Sequence, residues 1–363
     1  MVGTHVLSEI RPDKDRRHGK GSAAGGWHDP EDTVLISLVT NNGQENAFQV
    51  TIGYGFVSLV ASILNKIIMT KFFFDYPIVI TMLQMAITLI VIEVLRYADK
   101  VKVLAYNFQR GRDLLVPSLL YALSAYFSLN SLEGITMPMF PTVERFCPMA
   151  ALVFSYYLLR RNQPSNQMIA AVFLVSFGSA LACFYEFSLD QWSCLYGITA
   201  FCMQGAAFVL LESLSSQYST VDLIYMNSFN CLVFFLIADL VQDELRDSFM
   251  YFITSSTTLF GVCLGALILF GVLMHCFAVI CIANTNALTT TVVGNIRAAF
   301  QTFIAYTISV YLFYDYAPTI LNFVGLVITV CGAVFLAKIN SSEQFMRPTA
   351  TFDRPLSALR YPS

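Results

Sequence analysis

Charge is scarce in this 363-residue chain: Asp, Glu, Lys and Arg make up 12% of it against 56% hydrophobic residues, and the formal net charge is -3. No long basic run exists, so the footprint that neutralises nucleic-acid phosphates is missing and nucleic acid is excluded as a partner. The nine cysteines form no CxxC pair and fall in or beside apolar runs, which argues against a zinc site and a disulfide framework. Three of the four histidines (His5, His18, His28) precede the first apolar run, leaving neither a membrane His cluster for metal nor a Ser-His-Asp set. No metal, cofactor or catalytic residue is therefore expected, and an enzyme is the disfavoured class. No apolar segment precedes Val50, so the first spanning helix is expected to direct insertion.

What the chain has instead is hydrocarbon. Mean hydropathy is +0.63, and between Val50 and Ile339 nearly everything lies in apolar runs of about 20 residues, the length that crosses a bilayer. The polar breaks predict an all-α membrane protein of ten transmembrane helices: Val50–Thr70, Tyr76–Tyr97, Leu114–Asn130, Thr136–Leu159, Gln167–Tyr185, Trp192–Leu214, Leu223–Leu240, Thr257–Ile282, Ala287–Phe313 and Pro318–Ala337. Residues 1–49 read as a disordered tail, residues 50–339 as the helical domain and 340–363 as a second tail. Sixteen of the 21 Lys and Arg fall on the side of the termini, with only Lys71 and Arg246 opposite. Short cytosolic loops carry such an excess, so both termini are expected in the cytosol.

The remaining cations, Lys66, Arg145 and Arg297, lie inside predicted spans, where a charge costs at least about 2.5–3.5 kcal/mol and usually marks a pathway or a binding site. Arg145 precedes Gly178 in the fourth and fifth spans as Arg297 precedes Gly332 in the ninth and tenth. This suggests two five-helix repeats, about 50–186 and 192–338, which must be inverted because five is odd. Helical spacing aligns Asn286, Thr290, Gly294, Arg297 and Gln301 on one face. It does the same for Ser58, Ser62 and Lys66, for Thr81, Gln84 and Thr88, and for Asn227 and Asn230 beside Tyr225. Such stripes, with Pro138, Pro141 and Pro148 around Arg145, predict a wet cavity that His275 could also line. Cations there suit a polyanion, since guanidinium matches phosphate bidentately. Glu144, Glu212 and Asp239, also within spans, would temper that attraction. Gly261 and Gly265 form a GxxxG spacing, expected to pack helices.

From about Tyr54 to Ile339 the chain resembles the nucleotide-sugar transporters of the drug/metabolite transporter superfamily, nearest to their UDP-sugar branch. The segments that carry this are Asn65 and Lys66, Pro138 to Phe140, Glu144 to Phe146, and above all the run from Asn286 to Arg297. Within that run Gly294, Asn295, Ile296 and Arg297 resemble the branch's Gly-x-Ile-Lys motif, which brings Asn295 into the site. Tyr225, Met226, Asn227 and Ser228 loosely resemble the family's nucleotide-recognition motif. The resemblance implies a multi-pass Golgi protein, or one of the ER, that exchanges a cytosolic nucleotide sugar, UDP-linked, for lumenal nucleoside monophosphate. It implies no cofactor, and it leaves a homodimer, the sugar and the base open. The site expected is Lys66, Arg145, Arg297, Gly294, Asn295, Thr290, Tyr225, Asn227, Gln84 and His275. The rival readings are an organic phosphate or GDP-sugar antiporter of the same superfamily and a non-transporting receptor or scaffold.

Overall fold

The computed structural model describes residues 44–104, 106–134, 145–159, 163–182, 184, 191–255, 257–309 and 319–342. Within them the side chains of 44–46, Lys66, Thr70, 129–134, 191–194, Ser255, 301–309 and 340–342 stay outside the description. Of the two expected tails, residues 44–49 and 340–342 are helical, and the rest of both lies, with Glu144, Pro138 and Pro141, outside the described residues. All regular structure described is helical: α1 (Gln44–Phe72), α2 (Pro77–Tyr97), α3 (Phe108–Asp113), α4 (Leu115–Gly134), α5 (Cys147–Leu158), α6 (Asn166–Ala182), α7 (Gln191–Leu214), α8 (Thr220–Gln242), α9 (Glu244–Ser255), α10 (Thr258–Asn284), α11 (Ala287–Ser309) and α12 (Ile320–Ser342). Six of these, α1, α2, α7, α8, α10 and α12, contain stretches long and apolar enough to cross a membrane; Leu115–Ser128, Cys147–Leu158 and Asn166–Ala182 are apolar but shorter. Each predicted span overlaps one helix, and α3 and α9 are additional short helices in polar breaks.

Local chemistry sets several helix ends. Pro77 opens α2, where its missing N–H is no loss. Ser219 and Thr257 cap α8 and α10 by accepting from Asp222 N and Phe260 N. Asp243 stops α8 in the left-handed conformation at φ 57°, which turns the chain into α9.

Packing follows a pattern that survives an exchange of the N-terminal helices α1, α2, α4, α5 and α6 for the C-terminal α7, α8, α10, α11 and α12. α4 packs on α7 as α10 packs on α1; α5 packs on α7 as α11 packs on α1; α4 meets α8 as α10 meets α2. The α6–α12 pair shows the exchange at atomic detail. A Cβ on Gly178 would lie 2.7 Å from Thr329 N beside Ile328, and one on Gly332 would lie 3.0 Å from Val175 N beside Leu174. Adding the Gly178-to-Gly332 offset to Leu174 and Val175 gives Ile328 and Thr329, so the two contacts are copies of each other. Gly325 meets Ala182 further along, which makes the helices antiparallel. Asn322 fastens the same end, its Nδ2 donating to Ala182 O at 3.0 Å and Phe184 O at 2.8 Å. By contrast, nothing described lies within 4 Å of a Cβ at Gly261 or Gly265. Among the described residues the expected GxxxG packing is thus not made, and both glycines are exposed on α10.

Candidate functional site

Arg145 stands in the turn before α5, whose N-cap is Phe146. Its side chain is buried, and Nη1 reaches Gly294 O on α11 at 3.4 Å. Asn295 returns the contact, its Nδ2 donating to Arg145 O at 2.7 Å. Arg297, one turn beyond Gly294, donates from Nη1 to Ser58 O on α1 at 3.1 Å. Each arginine therefore crosses from its own set of helices to the other, and the two meet α11 within a single turn. A helical carbonyl has a second lone pair, so both contacts leave the helices intact while holding guanidinium groups between them. Among the described residues, nothing lies within 4 Å of a Cβ at Gly294.

Of the stripe above Arg297, Thr290 is fully buried and donates to Asn286 O at 3.0 Å within its own helix. Asn286 caps α11, accepting from Thr289 N at 2.6 Å. Lys66 lies on the same helix as Ser58, eight residues or about 12 Å further along the axis; its side chain is outside the described residues.

A second polar group joins α2, α4, α8 and α10. Ser118 Oγ donates to Asn227 Oδ1 at 2.8 Å, Ser228 Oγ and His275 Nε2 are 3.3 Å apart, and Tyr121 packs on the His275 ring at 5.5 Å between centroids. Asn227 Nδ2 and His275 Nδ1 are buried with no hydrogen-bond partner among the described residues. Gln84 lies against Gly271, one turn from His275, so closely that a Cβ there would overlap its amide. Tyr225 points elsewhere, its hydroxyl donating to Glu93 Oε1 on α2 at 2.6 Å. Measured at 1.5 Å per residue from the helix ends on the α3 side, Gly294, Arg297, Asn227 and His275 all lie about 10–15 Å deep. The apolar cluster holding Tyr54, Tyr121, Tyr225, Val292 and Ile296 joins the two polar groups. Lys66 is about 9 Å from the opposite end of α1.

Two acids of the predicted spans, Glu212 and Asp239, have structural work. Glu212 Oε2 accepts from Ala287 N at 2.9 Å and so caps α11, while Asp239 Oδ1 accepts from Leu245 N at 2.8 Å at the start of α9. Sequence spacing could not find the Glu212 cap, since Glu212 and Ala287 are 75 residues apart. Among the described residues no cluster of His, Cys, Asp or Glu could hold a metal ion.

Comparison with known proteins decides the class. No protein-family profile matches the chain. UDP-galactose/UDP-glucose transporter 7 of Arabidopsis thaliana is 25% identical over 88% of this chain and 94% of its own length. The UDP-sugar transporter sqv-7 of Caenorhabditis elegans is 24% identical over 77% and 85%, and the human nucleotide sugar transporter SLC35D2 is 23% identical over 80% and 85%. Its curated relatives include nucleotide-sugar transporters. Probable sugar phosphate/phosphate translocators of Arabidopsis thaliana are also similar, at 23% identity over 67% of the chain. One solved crystal structure shares the fold with a TM-score of 0.62 at 11% identity, over 83% of this chain and 99% of that one. Resemblance drawn from the residues and similarity measured over most of the chain thus agree, and the chain is a multi-pass membrane protein whose relatives are transporters rather than enzymes.

Proposed function

We propose that this protein is a nucleotide-sugar antiporter, taking a UDP-linked sugar from the cytosol and returning nucleoside monophosphate from the lumen without chemical change. The observation that carries the reading is the pair of arginines that cross between the two sets of helices and meet at Gly294–Arg297. Guanidinium matches phosphate bidentately, and charge in the membrane interior gains most from an anionic ligand. Lys66, further along α1, suits a ligand longer than a single phosphate. Asn295 and Thr290 shape the α11 wall, and Gln84, Asn227 and His275 are assigned to the far end of the ligand.

The exchangeable packing of the two helix sets and the antiparallel α6–α12 contact support ten helices in two inverted five-helix halves. Rocking one half on the other gives alternating access. Golgi residence with cytosolic termini completes the reading. The similarity to sugar phosphate/phosphate translocators favours one alternative, exchange of an organic phosphate. Proteoliposomes preloaded with UMP and offered labelled UDP-sugars, GDP-sugars and sugar phosphates separate the two: UMP-accelerated uptake of a UDP-sugar alone is expected, and acceleration confined to sugar phosphates by internal phosphate would replace the reading.

A further inference from the structure

The segments joining α2 to α4 and α8 to α10 each carry a short helix, α3 and α9, and each ties the two helix sets together at one end of the bundle. At the α3 end, Asp222 Oδ1 of α8 accepts from Leu104 N at 2.8 Å, Asn230 Nδ2 donates to Gly111 O at 2.9 Å, and Tyr218 OH donates to Asp113 Oδ2 at 2.9 Å. At the other end Glu244 Oε2 of α9 accepts from Ile78 N of α2 at 3.0 Å, and Tyr251 OH donates to Phe72 O. In both places a carboxylate meets a backbone N–H of the other set, and a tyrosine reaches across. α2 separates the two ties by about 30 Å.

We propose that α3 and α9 are paired latches, that each must release for the bundle to open at its end, and that the Glu244 carboxyl sets how readily α9 does so. The proposal rests on the alternating access argued above. α9 is built for docking: Glu244, Ser248 and Tyr251 share its inner face, Ser248 is buried, and Leu245, Phe249 and Ile253 line the outer, exposed face one turn apart. Tyr251 and Phe252 close on Phe74, at 5.3 and 6.0 Å between ring centroids.

The charged surroundings of Glu244 are mostly acidic. Asp75 and Tyr76 face it from the α1–α2 turn, Asp239 and Asp243 come from the end of α8, and Asp247 and Tyr251 from α9; Arg246 is engaged by Asp243 at 3.1 Å. Lys71 closes α1 on this side. Burial, opposed by the Ile78 and Val79 N–H groups, pushes the Glu244 carboxyl up to about 7. A carboxyl with a higher pKa docked than free favours docking when protonated, so docking is firm at low pH and weakens as pH rises from 4.5 towards 7.

Ser248→Cys reports release directly, since the thiol is hidden while α9 is docked; Met250→Cys, at an exposed position on the same helix, corrects for thiol reactivity. With an impermeant thiol reagent, the labelling of the Ser248→Cys protein relative to that of the Met250→Cys protein should rise about twentyfold from pH 5.5 to 7.5. This ratio should stay low and flat when Glu244→Gln is added, and rise at every pH with Tyr251→Phe while keeping its slope. Equal slopes with and without Glu244→Gln, or a ratio near one throughout, would overturn the latch. Labelling needs no substrate: pH-dependent release without exchange would sink the transport reading alone, and exchange with pH-flat labelling would sink the latch alone.

Discussion

Arg145 and Arg297 were legible from the sequence because nothing but function or pairing explains guanidinium groups in apolar runs. What the sequence could not show is that each is held by a carbonyl of the other helix set, Gly294 O and Ser58 O. Those contacts join residues 149 and 239 positions apart. The same reason hid Asn295 as a positioning group for Arg145 and Glu212 as the cap of α11. Arg297→Lys keeps the charge and loses the planar fork, so exchange should fall by about tenfold or more while expression is unchanged. Asn295→Ala should raise the KM for the nucleotide sugar several-fold with a smaller effect on kcat, because it frees the Arg145 backbone without removing a charge. Glu212→Ala, which leaves Ala287 N uncapped, should cost about 1 kcal/mol of stability, read as a lower melting temperature.

At the scale of elements, hydropathy located every long helix but not α3 and α9. α9 escaped because its inner face is polar and its outer face apolar, so it reads as a break between spans rather than as part of one. The glycines of α6 and α12 suggested a repeat by number alone; their close approach shows why they are glycines, since a side chain at Gly178 would strike the backbone of Thr329. Gly178→Ala and Gly332→Ala should each destabilise the protein by about 1–3 kcal/mol through overpacking, with similar sizes because the contacts are copies. The expected outcome is a comparable fall in melting temperature for both; a neutral Gly332→Ala beside a damaging Gly178→Ala would break the equivalence. Gly261 and Gly265 show the converse: spacing that promises packing meets no partner among the described residues.

For the whole molecule, the asymmetry of Lys and Arg predicts an orientation that a single modification checks. Asn340, Ser341 and Ser342 form a glycosylation sequon at the end of α12, which should stay unmodified with a cytosolic C-terminus; glycan at Asn340 would invert the topology. The central claim is that Arg145 and Arg297 serve one anionic ligand between the two helix sets. Its most direct measurement is the shift in melting temperature that UMP gives the purified protein, compared with Arg145→Ala and Arg297→Ala. A clear shift in the parent, lost in both variants while each still melts cooperatively, is the predicted result; a full shift in either variant would contradict it.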